Sequence, residues 1–166
     1  MAGSKKTKNV KSSNTPSSKE VKILQTTSAK QIAQTENPDS YYRYNPAWNF
    51  HTCDDIMWPL DSDNAGDLFW KEILPCLKMW ESFDWQFLLV NNKKHHHSID
   101  VKNLSKLARD RLAELFIEEN AIISLRLNGT HRIYGYIQNK IFNVLWFDKN
   151  HGDNDTCVCR SHKKHT

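Results

Sequence analysis

Glycine and proline are scarce in this chain, five of each in 166 residues, and methionine is scarcer still with three. A collagen-like chain is excluded by that composition. No run approaches the roughly 20 consecutive apolar residues of a membrane span. Lysines near the start are followed by no apolar core segment, so a secretory leader is not expected and a cytoplasmic location is the default. Four cysteines in a chain this long are too few for a disulfide framework. A large excess of either charge is also missing, because the formal net charge is only +4. Seven lysines against Glu20, Glu36 and Asp39 in residues 1–40 account for all of it, leaving residues 41–166 neutral. Nucleic-acid binding by that domain therefore needs a local basic patch.

What the sequence has in quantity is aromatic residues, six tryptophans among them, enough for a real core. They are unevenly placed. Residues 1–40 contain none, and their few aliphatics cannot close a core, so they are expected to form a disordered lysine-rich arm that holds nucleic-acid phosphates loosely. The single folded domain is expected over 41–166, ending in an extended basic tail.

Tyr41 to Pro59 is dense in tyrosine and tryptophan and reads as an extended segment packed on the core. Asp61 to Val90 has helical spacing, with Asp63 or Asn64 as cap and an interruption at Pro75. Asn91 to Ser98, NNKKHHHS, reads as a polar loop whose adjacent histidines point apart. Asp100 to Glu119 carries one apolar stripe through Leu104, Leu107, Ala108, Leu112 and Leu115, the pattern of a packing helix. On it Lys102, Lys106 and Arg109 recur at i, i+4 and i+7, a basic edge suited to an RNA backbone.

Ala121 to His151 organises the rest. Runs rich in β-branched and aromatic residues are punctuated by Asn128-Gly129, a two-residue turn signal, and by Gln138-Asn139-Lys140. Alternation sets Ser124 and Arg126 on one face of the first strand, and Arg132, Tyr134 and Tyr136 on one face of the second. The order of elements gives an α+β fold, with helices packed on one face of a small antiparallel sheet.

Two readings of the tail stay open. Cys157, Cys159, His162 and His165 are zinc-ligand types at tight spacing, whereas Arg160, His162, Lys163, Lys164 and His165 make a cationic tail able to neutralise a phosphate or move protons. The first would give a small zinc-stabilised protein; the second needs no metal or cofactor.

The run SLRLNGTHRIYGYIQNKIFNVLWFDKNH resembles the C-terminal part of YoeB-type toxins in the RelE superfamily of mRNA interferases. Ser124, Arg126, Gly129, His131, Arg132 and Ile133 match that family's pattern, and an apolar strand and a terminal histidine, His151, follow. The resemblance covers residues 121–151 and implies a RelE-like fold and an endoribonuclease that needs no metal. Arg132 would bind the phosphate, Arg126 would support it, His151 would move protons, and Tyr136 would stack on or orient a base. RNA contacts would fall on Lys102, Lys106, Arg109, Lys163, Lys164 and His165. The implied partners are RNA, with the ribosome, and a cognate antitoxin protein. The competing expectation is a module that binds RNA or protein without cleavage.

Overall fold

A computed structural model describes residues 40–152 and 157–159. Of the arm expected over residues 1–40, residues 1–39 lie outside them. Among the described residues the strands are β1 (Trp48–Asn49), β2 (His96–Asp100), β3 (Ala121–Arg126), β4 (Arg132–Gln138) and β5 (Ile141–Asp148). They form one sheet in the order β1-β5-β4-β3-β2. The helices that position the site are α1 (Leu74–Trp80) and α2 (Lys106–Glu114).

The hairpin alternation places Ile123, Leu125, Ile133, Val144 and Phe147 on one face, where they pack against Ile73, Leu77, Trp80, Trp85 and Leu88. Ile122, Tyr134, Leu145 and Trp146 take the other face, against Ala108 and Leu112 of α2. Both faces are therefore covered, a three-layer arrangement where one covered face was expected. Tyr134 pairs with Trp146 but Gly135 with Val144, so β5 carries an extra residue, Leu145. That bulge turns both Leu145 and Trp146 toward α2.

The sheet is also mixed rather than antiparallel, because β1 pairs parallel to β5 through Trp48↔Phe142 and Asn49↔Asn143. Two residues of strand are too short to show a period. Trp48 meets Trp80, Trp85 and Phe142 at ring separations of 6.1, 5.9 and 5.6 Å, and so anchors the aromatic segment. Beyond it, buried Asp54 accepts from Arg111 Nε (2.6 Å) and Nη2 (2.7 Å), Trp146 Nε1 (3.2 Å) and the Ile56 N–H (2.9 Å). One carboxylate thereby ties segment 50–60 to α2 and β5. Burial alone would raise its pKa; the donors, Arg111 first, more than offset that and hold it below the ordinary value.

The helical region before β2 is continuous through residues 67–80, with π-type bonding over Phe69–Ile73 handing on to α1. Pro75 lies inside that run and donates no N–H, and the π-type stretch directly before it is where the regular α-helical bonding gives way. The packing helix is shorter than its apolar stripe: Ser105, not Asp100, is the cap, its hydroxyl accepting from the Ala108 N–H at 3.2 Å. Lys102 consequently sits in a preceding 3-10 turn, Val101–Asn103, and shares no helix with Lys106 and Arg109.

The segment read as a polar histidine loop contributes the edge strand β2, antiparallel to β3. His96 is buried and accepts the Arg126 N–H on Nδ1 at 3.2 Å, which a solvated loop would not explain. At Asn139-Lys140 both residues are left-handed, as a two-residue type I′ hairpin requires. Asn128-Gly129 makes no such turn. The connection there is the five-residue loop 127–131, closed by the Leu127 N–H on the His131 carbonyl at 3.1 Å.

Candidate functional site

The register of β3 and β4 sets Arg126 directly opposite Arg132, and Arg132 opposite Asp148 of β5. One row along the same face stand His97, Ser124, Tyr134 and Trp146. The loop 127–131 closes the end of this face. Asn128 Oδ1 accepts the His131 N–H at 3.1 Å, folding the loop on itself. Glu72, from the helical run, receives Asn128 Nδ2 at 2.6 Å and meets His131 Nδ1 at 2.8 Å.

That clamped loop presents carbonyls inward. Arg126 Nε donates to the Asn128 carbonyl at 2.9 Å, and Arg132 Nη1 donates to the same oxygen at 2.7 Å and to His131 O at 2.8 Å. Two guanidinium groups are thus drawn toward one oxygen. Arg132 is only 6% exposed. Burial first, and the nearby charge of Arg126 second, lower its pKa from the usual arginine value. Guanidinium resists deprotonation so strongly that the charge persists.

His151 hangs from the same loop, its N–H on the Thr130 carbonyl at 3.1 Å. Its Nδ1 lies 3.0 Å from the Tyr134 hydroxyl, which in turn lies 3.2 Å from Cys159 Sγ. Burial pushes the Tyr134 phenol far above its ordinary range, so it stays neutral and serves only as donor and acceptor. His151 is pulled below its ordinary pKa by burial and then by Arg132, His97 and Arg126. His97, paired with Ser124 across β2 and β3 and partly shielded from water, is lowered by that shielding first and then by Arg132. Both imidazoles are therefore biased neutral beside fixed positive charge. A bound anion reverses that bias by offsetting the arginines.

Of the residues singled out by sequence, Arg126, Arg132 and His151 converge here. Tyr136 does not join them: it is half-buried against the α2-side core, its phenol raised by burial and by Glu119. Lys102 pairs with Asp100 at 3.2 Å, Lys106 pairs with Asp110, and Arg109 buries an Nε that has no hydrogen-bond partner among the described residues. Lys163, Lys164, His162 and His165 lie outside the described residues, and no group of three or more metal-ligating side chains is assembled among the described ones. Cys157 Sγ instead contacts the Cys159 carbonyl at 2.8 Å.

Sequence reasoning missed Tyr134 as the partner of His151, although alternation already set it beside Arg132. His97 was hidden by its polar neighbours; the step His97-Ser98-Ile99 holds too little alternation to mark a strand. No family model, curated protein or solved structure matches the chain.

Proposed function

We propose that the protein is an endoribonuclease that cleaves RNA without a metal, by driving a 2′-hydroxyl onto the adjacent phosphorus, in the manner of the RelE-like toxins its hairpin resembles. The observation that carries this reading is the common suspension of Arg126, Arg132 and His151 from carbonyls of one five-residue loop. Rigid, paired guanidinium groups suit the charge that develops on a pentacoordinate phosphate.

In this scheme Tyr134 accepts from Nδ1–H of His151 and donates to Cys159, which leaves Nε2 as the basic nitrogen. His151 removes the 2′-hydroxyl proton, the 2′-oxygen bonds to phosphorus, and the bond to the 5′-oxygen breaks. The imidazolium returns its proton to that leaving oxygen, giving a 2′,3′-cyclic phosphate and a 5′-hydroxyl. Neutral His151 beside Arg132 is the form that starts the step.

The test is cleavage of RNA, free and on ribosomes, by the purified chain in the presence of EDTA, with Arg132→Ala alongside. Cleavage that persists in chelator and falls at least about 100-fold in the variant supports the proposal. Absence of cleavage in both settings overturns it.

A second reading draws on Arg126, which is partly exposed at the end of β3 and is held by the loop through Nε. Such an arginine also suits a module that holds RNA without cutting it. Salt-dependent affinity with no new RNA ends distinguishes that case.

A further inference from the structure

On the α1 side of the sheet, at the end where the loop turns, lies a cavity of about 450 Å³ lined by Arg126 and by Leu127, Asn128 and Gly129 of that loop. The proposed chemistry does not use it. Its walls are aromatic: Trp80 of α1, with Phe83 and Phe87 stacked on each other at a centroid separation of 4.5 Å. At its mouth Met79 is 52% exposed and Phe87 is 39% exposed, an apolar rim left open to water beside a cationic cluster. Apolar side chains gathered around an open cavity mark a binding site more often than scattered surface residues do.

The polar groups lining the cavity are few and of particular kinds. The side-chain amide of Asn92 offers a donor and an acceptor side by side. His95 and Arg126 contribute imidazole and guanidinium. His96, also in the wall, is held neutral at a pKa of about 4, by burial first, and stands edge-on to Trp80 at 5.0 Å. Flat apolar walls, an amide that can pair with a base edge, and a cation at the boundary describe a nucleotide divided between two compartments. The aromatic compartment takes the π-face, and the arginines take the phosphate. A volume of this size holds a purine as readily as a pyrimidine.

We infer that this cavity is a nucleobase subsite, seating the base of a nucleotide whose phosphate lies at Arg126 and Arg132. The inference rests on the ribonuclease reading for the direction of the RNA, and its own test is binding rather than cleavage. Arg126 is the joint between the compartments: it lines the cavity, and its backbone faces Arg132 across the hairpin. A strand of RNA crossing this end of the sheet would therefore be read at one base beside the phosphodiester that is cut.

The experiment titrates the full chain with 5′-mononucleotides and, in parallel, with ribose 5-phosphate, followed by heteronuclear NMR or tryptophan fluorescence. The expected result is tighter binding of at least one nucleotide by about tenfold or more, the contribution of one stacked base. Phe87→Ser and Met79→Ser, both at exposed positions, and Asn92→Ala should each shrink that ratio while ribose 5-phosphate binds as before. Equal affinities for nucleotide and sugar phosphate, or a ratio untouched by all three variants, overturns the inference. The two readings fail separately. Base-dependent binding without RNA cleavage keeps the subsite and removes the nuclease; Arg132-dependent cleavage with no base contribution does the reverse.

Discussion

At the scale of single residues, Tyr134 carries the most information. Its ring fills the α2-side core while its hydroxyl reaches His151 and Cys159, so Tyr134→Phe separates the two tasks. The variant should fold with a loss of about 1 kcal/mol, the net worth of a hydrogen bond. In the proposed ribonuclease reaction, turnover should fall by about 10- to 100-fold, with affinity for the 2′,3′-cyclic phosphate product unchanged. A purely structural tyrosine would leave kcat alone. The pH profile of the wild type is a second check. Because His151 is depressed below the ordinary histidine value near 6.5, its neutral form already dominates at pH 7. The acidic limb of kcat/KM should then be centred below about 6.5, with no gain from pH 7 upward until another group titrates. Arg126, Arg132 and Tyr134 were legible as a shared face from alternation alone. His151's bond to Tyr134 was not, because it depends on where the chain turns after β5.

Among the elements, β4 shows how packing fixes a position that local preference leaves free. A Cβ at Gly135 would fall 2.2 Å from the Asn143 carbonyl and 2.6 Å from the Phe142 ring. Gly135→Ala should cost roughly 2 kcal/mol or more, read as a lower urea midpoint with an unchanged slope. The same Phe142 ring is the floor on which Trp48 and Trp85 pack, so a displaced β4 would loosen the aromatic segment as well. The hairpin β4–β5 was visible in the sequence because its turn residues and its period agree. Strand β2 was not, since a buried histidine reads as polar whatever it faces. The true start of α2 was hidden too: Asp100 and Ser105 are both good caps, and only tertiary contacts choose between them.

For the molecule as a whole, the critical joint is Asp54, whose donors come from α2, from β5 and from its own loop. Its carboxyl is held below its usual pKa in the folded chain. The stabilisation is therefore fully present above the unfolded value near 4 and is lost as pH falls through the lower folded value. Asp54→Asn should be less stable than the wild type at pH 6–8, and the gap should close below about pH 4. Denaturation at stepped pH measures both limbs; a gap that persists at pH 2 would assign the loss to shape rather than charge. An α+β domain and an organising hairpin could be read from periodicity. The second covered face and the parallel β1–β5 pairing could not, because they join segments that no local pattern relates.

That pairing also bears on how the protein is made. Asn49 meets Asn143 at 2.8 Å across 94 positions of chain. During synthesis at about 5–20 residues per second, the tryptophan-rich segment emerges and then waits roughly 5–20 s before its strand partner exists. Through that interval its aromatic surface is open to chaperones and to neighbouring nascent chains. Translation speed between these two points sets how long that exposure lasts.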